Sequence, residues 1–315
     1  MIKKSYSKII IVCLTVIFCS FRNERIIEDS EIIPTGATVK KITTGNYSFL
    51  EGVTWTGKNG LYFNDINGAA AGKLGHSVNQ IKDGIETTLN NASHNANGMY
   101  FDKKRQQLVV CVNQVGAGYI ATMTLDGKYK DTIVSKFDGK NFNMPNDLDV
   151  DKQGGIYFTD PTWNAAKPQP VNGVYYYSAK KGISLLIDDM KKPNGIILSP
   201  DEKTLYIDDW DGIDIWAYDI EEPGKIGNKR TFAKLPASTG TNSGADGVAI
   251  DTKGNLYVTF KGGIRIFAPD GKTISTIPLP EAPTNCTFGG KNMKTLYISA
   301  GKNIYSIELN VAGIR

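Results

Sequence analysis

One short pattern recurs six times along the 315-residue chain and constrains its fold more than any other feature. Each copy opens on an oxygen-bearing side chain and reaches a strand-like run about ten residues later. The copies are Glu51-Gly52-Val53 before Leu61-Tyr62-Phe63, Asn97-Gly98-Met99 before Leu108-Val109-Val110, and Asn146-Asp147-Leu148 before Ile156-Tyr157-Phe158. They continue with Asn194-Gly195-Ile196 before Leu205-Tyr206-Ile207, Asp246-Gly247-Val248 before Leu256-Tyr257-Val258, and Asn285-Cys286-Thr287 before Leu296-Tyr297-Ile298. Their first residues follow one another at intervals of 46, 49, 48, 52 and 39 residues. Strand-rich repeats of about 40–50 residues mark a β-propeller with one blade per repeat. The chain is therefore expected to be all-β, a six-bladed propeller.

The fourth repeat shows the expected blade most clearly. Asn194–Ser199 is the innermost strand, residues 200–203 the hairpin turn, Thr204–Asp208 the second strand, Asp214–Tyr218 the third and Arg230–Lys234 the outermost. The last repeat supplies only Cys286–Phe288, Thr295–Ser299 and Ile304–Glu308. Thr38–Ile42, ahead of the first repeat, is expected to provide its fourth strand and remove the exposed sheet edges. No stretch of the body has helical periodicity.

Hydrophobic residues make up 41% of the chain and charged residues 22%, a composition that excludes a disordered chain. The net charge of +4, without a Lys/Arg cluster interleaved with aromatics, leaves no nucleic-acid footprint. Lys3 and Lys4 precede an apolar stretch from Ile9 to Phe21, too short to span a bilayer and suited to an export signal. The expected organisation is a signal over residues 1–21, a tether over 22–37 and the propeller over 38–315. Cys19 stands where a lipoprotein signal places its acylated cysteine, although Phe18 before it is bulky for that role. Lipid anchoring at Cys19, ordinary cleavage and a retained short anchor all remain open, and the protein is expected in the periplasm or cell envelope. Cys111 and Cys286 lie in apolar strand contexts of non-neighbouring repeats and read as buried free thiols.

Radial symmetry puts the same position of each repeat at one radius and height. Glu51, Asn97, Asn146, Asn194, Asp246 and Asn285 would then form a ring of oxygens. Asn-Gly and Asp-Gly are also hairpin-turn signals, but the blade hairpins have their own turn residues several positions later, and Glu51 gains nothing in a turn. For Asn97 and Asn285, capping of backbone groups at strand starts stands beside the channel-facing reading. Two carboxylates converging in a narrow channel are costly without a cation. Carboxylate and amide oxygens suit a hard divalent ion, Ca²⁺ first, with Mg²⁺, Mn²⁺, Zn²⁺ or Fe²⁺ as other occupants. Nucleophile elbows, His-Glu-x-x-His and two-His zinc spacings are absent from the sequence. His94, three residues before Asn97, reads as a surface loop residue. Trp163 and Trp210 follow the second strands of repeats three and four, where they would either wall a substrate pocket or pack between blades. The repeated Leu-Tyr reads as core between blades.

The segments from Met144 through Pro145, Asn146 and Asp147 to Asp151, from Lys192 through Pro193, Asn194 and Gly195 to Tyr206, and from Gly244 through Asp246 and Gly247 to Val258 closely resemble the family of gluconolactonases, senescence marker protein (regucalcin) and luciferin-regenerating enzyme. Pro283 to Ala300 fits it too, and the resemblance runs from about Ser48 to about Leu309. It implies a six-bladed propeller with one catalytic divalent metal, usually Ca²⁺. By the resemblance, Glu51, Asn194 and Asp246 are metal ligands. Asn146 lies beside the ion and contacts substrate or metal, and Asp246 is the general base. The chain departs from sugar-lactone members at Met144, where some have a basic residue, and at Val112-Asn113, where many have Glu-His.

The expected activity is therefore metal-dependent opening of a lactone to a hydroxy acid, with Asn146 helping to stabilise the oxyanion and a small lactone or ester as the partner. Asn97, Met144, Trp163, Trp210 and Asn285 are the further candidates for substrate contact. Phosphoester hydrolysis, as in the related diisopropyl fluorophosphatase, and a non-catalytic metal-binding propeller are the alternatives.

Overall fold

Six four-stranded antiparallel sheets, one per repeat, form a six-bladed β-propeller. The computed structural model describes residues 31–66, 76–163, 167–238 and 242–314. The expected export signal and the first part of the expected tether lie outside the described residues.

From the channel outward, blade one comprises Leu50–Trp55, Leu61–Asp65, Ser77–Lys82 and Ile85–Asn90. Blade two comprises Ala96–Asp102, Gln107–Val112, Tyr119–Thr124 and Tyr129–Val134. Blade three comprises Leu148–Val150, Ile156–Asp160, Gly173–Ser178 and Gly182–Ile187. Blade four comprises Pro193–Leu198, Thr204–Asp209, Asp214–Glu222 and Lys225–Lys234. Its outer hairpin is longer than expected, because Glu222 pairs with Lys225 across a tight turn. Blade five comprises Val248–Ile250, Leu256–Phe260, Gly263–Phe267 and Thr273–Ile277. Blade six comprises Pro283–Gly289, Thr295–Ala300 and Asn303–Glu308. A small hairpin, Lys136–Phe137 with Lys140–Asn141, sits between blades two and three. Among the described residues the one helical segment is a single 3₁₀ turn, Gly57–Asn59.

The chain closes on itself as expected, with Lys40 opposite Ser306 and Lys41 opposite Tyr305 at the outer edge of blade six. The chain enters the fold before residue 38, within the stretch expected as a tether. Ile32 and Ile33 are buried in the core of blade six with Leu309 and Val311, and Asn310 N–H donates to the Ile32 carbonyl at 2.8 Å. Two adjacent isoleucines cannot be left in water cheaply, since burying each is worth about 2 kcal/mol.

The hydrophobic core is divided into six clusters, one at each junction between neighbouring blades. The repeated tyrosine is the bridge. Tyr62 of blade one packs into blade two, Tyr157 into blade four, Tyr206 into blade five and Tyr257 into blade six. Tyr297 returns to blade one, stacked on Trp55 with centroids 5.5 Å apart. The turns behind the inner strands share one device. The Asp151 carboxylate accepts the N–H groups of Gln153 and Gly155, and Asp251 does the same for Lys253 and Asn255. Gly154 and Gly254 hold the left-handed position that each turn needs. Cys111 and Cys286 are buried and unpaired in disulfide terms, as expected.

Candidate functional site

At each ring position the inner strand breaks its ladder with the second strand. The register shifts between Glu51 and Thr54, Ala96 and Met99, Pro193 and Ile196, and Pro283 and Asn285. In blades three and five regular pairing starts only at Leu148 and Val248. Such irregularities re-aim a side chain out of the pleat. The backbone groups released here bond sideways to the adjacent blade. Asn64 Nδ2 donates to the Asn97 carbonyl at 2.5 Å, Gly98 N–H to Asn146 at 2.8 Å, and Thr159 Oγ1 to Asn194 at 2.8 Å. Gly247 N–H donates to Thr284, and Thr284 Oγ1 donates to Leu50, which returns the circle to blade one.

The glycines that follow four ring residues serve this circle. A Cβ on Gly52 would lie 2.0 Å from the Asn97 carbonyl oxygen, one on Gly98 2.6 Å from that of Asn146, and one on Gly195 2.1 Å from that of Asp246. The close approach they permit is therefore between neighbouring blades. Gly52 alone among them has positive φ.

All six ring residues are buried. Glu51 Oε2, Asn97 Oδ1 and Asn194 Oδ1 are enclosed without a hydrogen-bond partner. Asn97 therefore caps no backbone group with its oxygen. Asn285 directs its side-chain amide to the Asp147 carboxylate, which opposes the upward shift that burial gives that group. Burial, then the nearby Asp147 charge, pushes the Glu51 carboxyl up to about 8. Burial, followed by the charges of Glu51, Asp208 and Asp147, holds Asp246 well above the usual carboxylate range, while a hydrogen bond from Asn194 opposes the shift. Buried anionic oxygens that repel one another, with amide oxygens lacking donors beside them, form a donor set that fits a hard divalent cation. Among the described residues no group of three or more His, Cys, Asp and Glu is arranged to hold a metal. The present set depends on amides, and the buried oxygens of Glu51, Asn194 and Asp246 are those such an ion could take.

Five carboxylates escaped the sequence reading. Asp147, next to Asn146, is pushed up to about 7 by burial and reaches the lower channel. Asp208 is fully buried behind Gly195, whose N–H it accepts, and burial raises it well above the usual range. A third group positions the ring from outside. Asp65 accepts the N–H groups of Ser48 and Phe49, Asp160 those of Asn143 and Met144, and Asp209 those of Lys191 and Lys192. Each clamps the loop that delivers the next ring residue of its own blade. Aligning the second strands exposes the signal: Asn64, Thr159, Asp208, Thr259 and Ser299 share the fourth place, while Asp65, Asp160 and Asp209 share the fifth.

Away from the ring, the channel opens into a cavity of about 640 Å³ lined by Val53, Met99, Leu148, Ile196, Val248 and Cys286. This end gathers one apolar residue from each inner strand beside charged and polar groups such as Lys103 and Asp149. At the ring end, Met144 is buried over Asp160, and Trp163 meets Trp210 edge-on at 5.5 Å. These two tryptophans thus pack on each other across blades three and four. His94 is exposed and stacks on Tyr129, away from the ring.

The geometry has counterparts among known proteins. The gluconolactonase of Zymomonas mobilis is 36% identical over 213 residues, covering 62% of this chain and 60% of that protein. Regucalcin of Gallus gallus is 33% identical over 171 residues, covering 51% of this chain and 56% of that protein. The chain thus spans between half and two thirds of these relatives' lengths. The solved structure of a gluconolactonase from Xanthomonas campestris matches with a TM-score of 0.76 at 27% identity, over 87% of this chain and 90% of that one. The family described as the SMP-30/Gluconolactonase/LRE-like region matches residues 49–302, a span holding all six ring residues, and the chain belongs to that family.

Proposed function

We propose that the protein is a divalent-metal-dependent lactonase that opens a cyclic ester to a hydroxy acid. The observation that carries this reading is the pairing of two repelling, buried carboxylates, Glu51 and Asp246, with the orphaned amide oxygen of Asn194 at one level of the channel. Glu51, Asn194 and Asp246 would hold the cation, Ca²⁺ by the hardness of the donors, with Asn146 adjoining it. When bound, the cation supplies Lewis-acid polarisation of the carbonyl and acidification of water. Family membership and the gluconolactonase names of the relatives support the substrate class.

The chain's own residues then divide the work. Asp246 accepts a proton from the attacking water as its oxygen bonds to the lactone carbonyl carbon. Asn146, held by its N–H on the Thr159 carbonyl at 2.9 Å, donates its amide N–H to the oxyanion that develops. The ring C–O bond then breaks, and the proton on Asp246 passes to the departing alkoxide. The circle of interblade hydrogen bonds fixes these groups before substrate arrives, which limits the reorganisation that the reaction requires.

The test is pH-stat hydrolysis of aldonolactones and alkyl lactones by metal-stripped protein, with Ca²⁺, Mg²⁺, Mn²⁺ or Zn²⁺ restored in turn. Turnover that requires an ion and is lost in Asp246→Asn supports the reading. Tight ion binding without turnover of any lactone refutes it.

A further inference from the structure

Three consecutive blades place an aromatic or cationic residue just past the second strand, at the ring end. These are Trp163 in blade three, Trp210 in blade four and Lys261 in blade five. Below them lie Asn146, Asn194 and Asp246. Lys192 joins the group from the loop that delivers Asn194, two residues ahead of it. Its ammonium lies 4.9 Å from the Trp163 ring centroid and 4.8 Å from that of Trp210. The Lys261 ammonium stands 5.3 Å from the same Trp210 ring, and its aliphatic stem covers Gly244, two residues ahead of Asp246. Two ammonium groups therefore share one indole.

The local carboxylates only partly balance them. Asp211 pairs with Lys192 at 3.2 Å and takes Asn242 Nδ2 on its other oxygen. Asp209 is turned to the backbone, where it accepts the N–H groups of Lys191, Lys192 and Asp211. Lys261 has no carboxylate within ion-pair distance among the described residues. Trp163 adds a second unmet demand, since its Nε1–H is enclosed without an acceptor among the described residues. Cations held on indole faces, an ammonium without a counter-ion and an indole donor without an acceptor converge on one missing chemistry, a negatively charged oxygen group.

We propose that Lys192, Lys261, Trp163 and Trp210 form a subsite for an anionic substituent of the substrate, so that the favoured lactone is an acidic one bearing a carboxylate or phosphate. This inference rests on the lactonase reading for its substrate and adds the charge of the group remote from the reacting carbonyl. Lys192 precedes Asn194 by two residues, so the subsite stands roughly 7 Å of extended chain from the ring. That distance suits a group several carbons from the lactone carbonyl. Binding energy gained there positions the carbonyl over Asn146 and Asp246.

The test uses three lactones that differ at one terminal carbon: gluconolactone, which is neutral; glucarolactone, which bears a carboxylate; and 6-phosphogluconolactone. The expected wild-type preference is about tenfold or more in kcat/KM for an acidic lactone, because a charge-assisted hydrogen bond is stronger than a neutral one. Lys192→Met and Lys261→Met should each erode that preference about tenfold through KM, and raised salt should shrink it. Which of the two acidic lactones leads identifies the anion. Equal kcat/KM for all three, or a preference untouched in both variants, overturns the inference while the lactonase reading stands. Should no lactone be turned over, tryptophan fluorescence of metal-stripped protein separates the two ideas. Quenching by glucuronate or glucose 6-phosphate but not by glucose, lost in Lys192→Met, supports the anion subsite; no anion-dependent quenching overturns it.

Discussion

Glu51→Gln should stabilise the metal-free protein while weakening its hold on Ca²⁺. In the folded chain burial and the Asp147 charge lift the Glu51 carboxyl from 4.5 to about 8. Between those values the folded state keeps a proton that the unfolded state releases. The residue's contribution is therefore complete below about pH 4.5, falls as pH rises, and is fully lost above pH 8. At 1.36 kcal/mol per pH unit, the loss is about 3 kcal/mol at pH 7 and about 5 kcal/mol at pH 9. Glutamine desolvates much as a protonated glutamate does but never ionises, so it avoids this loss. Urea unfolding in chelator at pH 5, 7 and 9 should show the variant nearly level with wild type at pH 5 and increasingly more stable above it. Added Ca²⁺ should reverse the order at pH 9, because ligand binding stabilises only the chain that holds the ion. A variant less stable than wild type in chelator, or a difference that does not grow with pH, would refute the electrostatic reasoning.

Other outcomes follow from the same geometry. Asp246→Asn should abolish lactone turnover and weaken Ca²⁺ binding in calorimetry, leaving the far-UV spectrum unchanged. Gly195→Ala would set a methyl 2.1 Å from the Asp246 carbonyl oxygen; the resulting shift of both ligand-bearing strands should lower kcat roughly 100-fold, as displacements near 1 Å do. Tyr257→Ala should cost about 3–5 kcal/mol in urea unfolding by emptying the junction of blades five and six. Tyr257→Phe should cost only about 1–2 kcal/mol for the lost hydrogen bond to Asp251. Ile33→Ala, in a side chain 1% exposed, should cost about 2–5 kcal/mol with kcat unchanged.

Blade number, closure and the ring positions were legible because each was repeated. Asn194 alone is a turn signal, but the same slot filled by Glu51 and Asp246 points to a shared radius. The tyrosines were legible for the same reason. What escaped was written once or by absence. Asp147 stands where four other copies have glycine, so nothing in the repeat marks it as a channel group. Asp208 looked like the end of a strand, although the register places it in a row with Asn64, Thr159 and Thr259. The glycines after the ring residues show freedom of approach in the sequence without showing what approaches. Ile32 and Ile33 precede the first repeat, and only the facing Leu309 and Val311 reveal that they belong to the core.

The pairing of Lys40 with Ser306 also orders the assembly of the fold. That contact joins positions near opposite ends of the chain, and contacts so distant in sequence form slowly. Five blades can assemble in order as the polypeptide emerges, but the sixth cannot until its last strand is made. Thr284, whose hydroxyl reaches the Leu50 carbonyl beside Glu51, belongs to that late blade. A growing chain therefore carries Glu51 for most of its synthesis without the neighbour that completes the ring. The oxygen set proposed to hold an ion is therefore complete only once the sixth blade has closed on the first.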